Sequence, residues 1–272
     1  MKRIIRSFII IIAFSFIFAS FSSAHFQTFW PDNNNGYAKR GKMVTWQYFW
    51  GHPYEFVVFD AKKPNFYVVT PKGSKENVEM KQNMMKDEAT GKLRKAYKIK
   101  YTPKYLGDSW LCLEAPLYFV EEEGVFLKDY AKEVIHVIAE DGWDKPVGME
   151  IEMVPLTRPY GIEEGFVFVA QALFNGKPLS NGYVEIEKFN GFHIKEENIP
   201  KDQYGNENVP MVTRVAKTDL NGYVTYTLDE PGWWMICVYH KDGEKVVKGK
   251  HYPIIKRGGI WVHVEKKFSQ KR

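Results

Sequence analysis

Four residues carry the chemistry this sequence offers: His25, His52, Glu55 and His136. His25 follows a segment built like a cleavable export signal: basic Lys2, Arg3 and Arg6, an apolar run from Ser7 to Phe21, then the small residues Ser22-Ser23-Ala24 where a signal peptidase cuts. Cleavage there makes His25 the first residue of the mature chain, with a free α-amine beside its imidazole. The amine titrates near ~7.7 and the imidazole near ~6.5, so near neutral pH both nitrogens can close on one metal ion as a chelate. Neither group alone offers that bite. Proton competition for the same nitrogens is expected to weaken binding as pH falls through roughly 6 to 7.

His52 is the expected second ligand, because Trp50-Gly51-His52-Pro53 reads as a strand end where side chains can converge on an exposed N-terminus. Glu55 would add an oxygen donor or orient His52. His136, in Val134-Ile135-His136-Val137-Ile138, is a third candidate ligand, with a buried hydrogen-bonded histidine as the alternative. A tetragonal nitrogen set suits nickel(II) and copper(II), and donor type does not separate them from cobalt(II). His193, His240, His251 and His263 read as surface or packing residues.

The elements that must position these groups read as strands. The chain has 272 residues, 44% of them hydrophobic and 16% aromatic, a load that suits pleated, half-buried surfaces. Without residues 1–24 it holds 35 basic against 33 acidic residues, scattered and without a phosphate-cradling glycine loop, which argues against nucleic acid as a partner. The leader's apolar run is short and closely followed by a cleavage site, so the expected product is extracytoplasmic and meets a membrane only through a partner; an uncleaved anchor is the alternative. Cys112 and Cys237 lie in apolar strand-like runs and read as core residues. No serine elbow or activated thiolate suggests nucleophilic catalysis.

Strand-like stretches run from Met43 to Trp50, Glu55 to Phe59, Phe66 to Thr70, Ala96 to Tyr101, Ser109 to Glu114 and Glu133 to Ala139. The charged stretch Lys72 to Lys95 is weakly periodic and reads as a loop or short helix. Pro155-Leu156-Thr157-Arg158-Pro159-Tyr160-Gly161 reads as a boundary, giving an N-terminal β-sandwich over residues 25–155 and a C-terminal one over 160–272. In the latter, Arg214 to Thr218 and Tyr223 to Leu228 flank Asp219-Leu220-Asn221-Gly222 and read as a hairpin. Trp233, Trp234 and Tyr160 are candidates for an aromatic docking patch, although adjacent strand residues diverge and at least one tryptophan belongs to a core. The expected fold is all-β, with two antiparallel sandwiches of immunoglobulin-like type.

Gly176-Lys177-Pro178, Gly182-Tyr183-Val184-Glu185, Lys217 to Gly222 and Pro231-Gly232-Trp233-Trp234 resemble small transthyretin-like or carboxypeptidase-regulatory-like sandwiches. Over the whole mature chain, the order Ala24-His25-Phe26, His52-Pro53 with Glu55, Gly142-Trp143-Asp144, Pro155 to Gly161 and Gly232-Trp233-Trp234 resembles the periplasmic accessory proteins of energy-coupling-factor-type nickel and cobalt transporters, a family long described as a domain of unknown function. The resemblance implies an exported protein that binds nickel, or another divalent transition metal, and works with the membrane components of a transporter. A copper-dependent polysaccharide oxidase using an N-terminal histidine is the enzymatic rival, and an exported sugar-binding or adhesion module the third reading. Intact mass of the exported protein should correspond to loss of 24 residues; a mature chain starting elsewhere removes the amine ligand.

Overall fold

Several strands are apolar at successive positions instead of alternate ones, which requires a sheet covered on both sides. In the computed structural model, which describes residues 25–121 and 123–268, that sheet is the middle one of three. The leader and its expected cleavage lie outside the described residues, apart from His25 itself. One outer sheet holds β1 (Phe26–Pro31), β2 (Val44–His52), β3 (Val57–Phe59), β6 (Glu79–Lys86) and β7 (Leu93–Tyr101). The ten-stranded middle sheet draws β4 (Asn65–Val69), β5 (Lys75–Asn77), β8 (Gly107–Glu114), β9 (Tyr118–Val120) and β10 (Val125–Val137) from the first half of the chain. From the second half come β12 (Ile162–Glu163), β15 (Tyr183–Phe189), β16 (Thr213–Lys217), β18 (Gly232–Val247) and β19 (Lys250–Glu265). The other outer sheet holds β11 (Ile151–Pro155), β13 (Phe166–Phe174), β14 (Lys177–Pro178) and β17 (Tyr223–Leu228). The chain is an all-β sandwich fold; among the described residues no helix is long and apolar enough to cross a membrane.

Successive side chains on a strand point to opposite faces, so each middle-sheet strand feeds two cores. On β18, Trp233, Met235 and Cys237 pack under the first outer sheet with Trp46, Tyr48 and Leu111, whereas Trp234, Ile236 and Val238 pack under the second with Trp110, Ile151 and Phe168. Both tryptophans are therefore core residues, 3% and 1% exposed, and Tyr160 is 3% exposed. The expected aromatic docking patch does not form, because the strand that carries the tryptophans is covered on both sides. Cys112 and Cys237 are free and buried, one in each core.

Three other expectations change. β10 and β19 pair in parallel from Phe126 opposite Ile254 to Glu133 opposite Trp261, so one sheet unites the two halves of the chain. Pro155 to Gly161 is consequently a crossover, from β11 in an outer sheet to β12 in the middle one, and not a hinge between self-contained sandwiches. Lys72 to Lys95 contains β5, β6 and the start of β7; its weak periodicity reflects a mostly exposed edge strand that only Val78, Met80 and Met85 tie to the core. The Asp219 to Gly222 turn forms, with the Asp219 carboxylate accepting the N–H groups of Asn221 and Tyr223 at 2.8 Å each. Yet β16 pairs with β15 and β17 with β13, so this turn carries the chain between sheets instead of closing a hairpin.

Because the two cores share one sheet, urea unfolding of residues 25–272 should proceed in a single transition, and cleavage within 155–161 should not release two folded halves. Two resolved transitions, each assigned to one half by its own fluorescence, would contradict the shared sheet.

Candidate metal centre

β1 pairs with β2 in the register Phe26 opposite Gly51 and Gln27 opposite Trp50. Continued by one residue, that register sets His25 across from His52, the closest cross-strand relation a sheet provides. The two imidazoles meet edge to face with centroids 4.6 Å apart. His25 also stacks on Trp50 at 5.3 Å and meets Phe59 at 5.2 Å, while His52 meets Phe59 at 5.4 Å.

Local sequence explains how His52 is held. Residues 53–56 turn the chain back so that Val57 pairs with His52 and Val58 with Gly51. A Cβ at Gly51 would lie 1.9 Å from the Val57 carbonyl oxygen, so this approach needs glycine. Phe56 closes the turn at φ 58°, a left-handed conformation sustained by its ring packing on Trp30, Phe49 and Phe189. Glu55 consequently lies in the turn and not in the strand expected from Glu55 to Phe59.

His25 is held from the other side. Its carbonyl accepts the Arg257 Nη2–H at 2.6 Å, and Arg257 in turn grips both oxygens of Asp129 at 2.7 Å. Gln27 donates to Asp129 at 2.8 Å and accepts the Trp261 indole N–H on its own carbonyl at 3.0 Å. This network ties the start of β1 to the middle sheet.

Burial, reinforced by the charge that His25 can carry, pushes the His52 imidazole down to about 4. His52 is thus neutral at physiological pH, and its Nε2 is shielded from solvent with no hydrogen-bond partner. A buried polar atom left without a partner is costly, and a neutral imidazole nitrogen in that condition is a ready ligand atom. The Glu55 carboxylate stands 3.9 Å from the opposite nitrogen, Nδ1, beyond hydrogen-bond distance. Burial raises the Glu55 carboxyl. Its position suits orientation of His52 and not ligation alongside Nε2. Because His52 stays neutral down to about 4, proton competition expected between pH 6 and 7 falls on His25 and not on both histidines.

Among the described residues no group of three or more His, Cys, Asp or Glu side chains converges on a common point. The pair fits a tetragonal ion only with a third nitrogen, and the α-amine of a processed His25 is the donor that the sequence supplies. His136 does not join them. Its Nδ1 contacts Asp108 at 2.7 Å, its ring stacks on Tyr160 at 4.1 Å, and the Tyr160 hydroxyl donates to Asp108 at 3.0 Å. On β10 it shares the side of Tyr130 and Val134, toward the second core, so the middle sheet separates it from the pair.

Sequence reasoning missed the pocket beside His25. About 370 Å³ in volume, it is walled by Trp50, Phe59, Tyr118 and Phe119 and carries Asp60, Arg94 and Glu121. These residues come from separate elements, and only Trp50, two positions before His52, gave a local sign. A wider cleft of about 740 Å³ lies along β16, lined by Tyr183, Met211 and Tyr226 with Arg214 and Asp229. Its two charged groups pair with each other at 2.6 Å and it holds no histidine, so size alone does not make it the site.

A family described as a domain of unknown function, DUF4198, matches residues 22–242. No curated protein matches the chain. Among solved structures it is similar to a DUF4785 family protein from Legionella pneumophila, with 9% identity over 78% of this chain and 51% of that one at a TM-score of 0.29. It is similar also to Escherichia coli alpha-2-macroglobulin activated by porcine elastase, with 10% identity over 88% of this chain and 20% of that one at 0.25. The human OSCAR ligand-binding domain gives 12% identity over 88% and 97% at 0.21. The chain spans about half the length of the Legionella protein, 51%, and likenesses of this strength carry no argument about function.

A folded-state value below the unfolded one means that His52 favours folding above pH ~6.5 and that this contribution is lost as pH falls toward about 4. Metal-free protein should therefore lose up to ~3 kcal/mol more stability than His52→Gln between pH 7 and 4, measured by urea unfolding. Parallel pH profiles for the two proteins would show that His52 is not held neutral by burial.

Proposed function

This chain belongs to the DUF4198 family, which is defined without a function, and we propose that it is an exported binding protein for nickel(II), or the similar cobalt(II), serving a membrane transporter. The observation that carries the reading is the neutral, unpartnered Nε2 of His52 in a ring pair with His25, the residue at which the leader would be cut. The cargo ion would be held by the His25 amine and imidazole and by His52 Nε2. His52 is neutral at neutral pH, so with its one ring proton on Nδ1 it takes the ion at Nε2 without expelling a proton. The turn around Glu55, which pairs Val57 with His52, and the Phe59 ring hold the His52 ring, and Arg257 fixes the first residue through its carbonyl.

Three neutral nitrogens give the site a character suited to transfer. They bind a borderline ion without neutralising its charge, and the amine's protonation loosens the hold at mildly acidic pH. The resemblance to accessory proteins of nickel and cobalt transporters supplies the expected partner, the membrane components of such a transporter, and an extracytoplasmic location. His25 lines a recess and not a flat platform, which weighs against a polysaccharide oxidase, whose polymer needs an open aromatic surface.

Calorimetry with nickel(II) chloride on three proteins tests the site: the chain starting at His25, the same chain with one glycine added before His25, and His52→Ala. The first should bind one ion, and each of the others should bind at least about tenfold more weakly, the first change by converting the amine to an amide and the second by removing Nε2. Equal affinity in all three would place the metal elsewhere.

A further inference from the structure

The pocket beside His25 is larger and chemically richer than an ion requires. Six waters around a metal need about 60–90 Å³ of the space in which water centres can sit, well under the 370 Å³ present. Aromatic rings of Trp50, Phe59 and Tyr118 form one part of its wall, and Asp60, Arg94 and Glu121 a polar part.

Among the described lining residues Arg94 is the permanent cation. Arg94, on β7, has an Nε that is shielded from solvent and has no hydrogen-bond partner. Among the described residues its ion pair is a long one, Nη1 to Asp60 Oδ2 at 3.5 Å, while Asp60 Oδ1 is committed to the Lys95 N–H at 2.8 Å. A guanidinium presents five donors in a planar fork matched to a carboxylate, so Arg94 is under-used as it stands. Asp60 and Glu121 make the rest of the charged lining acidic, which favours a guest with net positive charge. A guest with one carboxylate, a flat apolar part and a net positive charge is an α-amino acid complexed to a divalent metal.

Resting on the nickel reading of His25 and His52, we propose that the ion is captured already chelated by an α-amino acid, whose carboxylate is received by Arg94 and whose side chain lies among Trp50, Phe59 and Tyr118. In an amino acid whose side chain carries a second nitrogen donor, as histidine does, chelation through the two nitrogens leaves the carboxylate free for Arg94, and the protein's nitrogens complete the coordination shell on the His25 side of the pocket. Arg94 is then what distinguishes a carboxylate-bearing chelator from one without.

Two nickel complexes differing only in that group provide the test: equimolar nickel with radiolabelled L-histidine, and equimolar nickel with radiolabelled histamine, each offered to protein starting at His25. The protein should retain histidine together with nickel, and bind the histidine complex about 10- to 100-fold more tightly than the histamine complex. Arg94→Gln should abolish that difference, and Arg94→Lys should restore part of it; thermal unfolding of each variant checks that it folds. Nickel retained with histidine left in solution would overturn the proposal, as would equal affinity for the two complexes or an equal loss of both in Arg94→Gln. Those outcomes leave the metal site standing, whereas failure to bind nickel chloride itself would remove the nickel reading as well.

Discussion

The Asp129–Arg257 pair is the contact on which the rest of the structure depends. Asp129 and Arg257 are direct neighbours in the parallel register of β10 and β19, where the two halves of the chain join in one sheet. They are 5% and 2% exposed, so each gives up hydration that only a well-made partner can offset. The partner is well made. Two 2.7 Å bonds join the side chains, Gln27 donates to Asp129, and the remaining guanidinium donors reach the His25 carbonyl and, at 3.2 Å, the Tyr239 hydroxyl. Phe26 and Tyr239 present their rings to the guanidinium at 5.5 and 5.4 Å. One ion pair thus fixes both the junction of the halves and the strand that delivers His25. Breaking it on one side would leave a lone charge buried at that junction.

Two-sided burial of the middle sheet accounts for much that looks irregular in the sequence. Lys132 and Glu133 are adjacent on β10 and fully buried, yet they serve opposite faces. Lys132 pairs with Glu152 at 2.7 Å and lies over the Trp110 ring, in the second core. Glu133 accepts the Trp46 indole N–H at 2.9 Å in the first, where burial pushes its carboxyl well above the usual range. Lys132 is tolerated as a charge because its partner waits on its own side, whereas burial favours the neutral form of Glu133, whose Oε2 has no hydrogen-bond partner.

What was legible follows from how local each signal is. The chelating potential of His25 and the strand-end position of His52 are properties of a few contiguous residues, and the structure brings those two rings together. Trp233-Trp234 states only that neighbours diverge; that both destinations are cores depends on an outer sheet built from β11, β13, β14 and β17. Val134 to Ile138 places His136 on a strand, but which side holds the His25–His52 pair depends on the distant pairing of β1 with β2. Arg94, Asp129 and Arg257 were silent, since an isolated charged residue in a strand reads as solvent-facing until the sheet that covers it is known. The Pro155 to Gly161 segment misled for a related reason: proline and glycine mark a break in a ladder, and a crossover between stacked sheets breaks it as a domain boundary does.

The same logic explains why the proposed metal site would fit at this place in the fold. A free N-terminus is difficult to hold, because a first residue has neighbours on one side only and the entropy of the chain end must be overcome. Here the grip on His25 acts through its carbonyl and its ring stacking, on the side of the α-carbon away from the nitrogen that cleavage would release. β1 lies at the edge of its sheet, so the residue before it can meet His52 across one strand boundary without threading through a ladder. Gly51 lets β3 close behind that boundary, and the closure is what buries His52. Burial then keeps the imidazole neutral, so the device that positions the ring also sets it in the protonation state in which it can bind a metal.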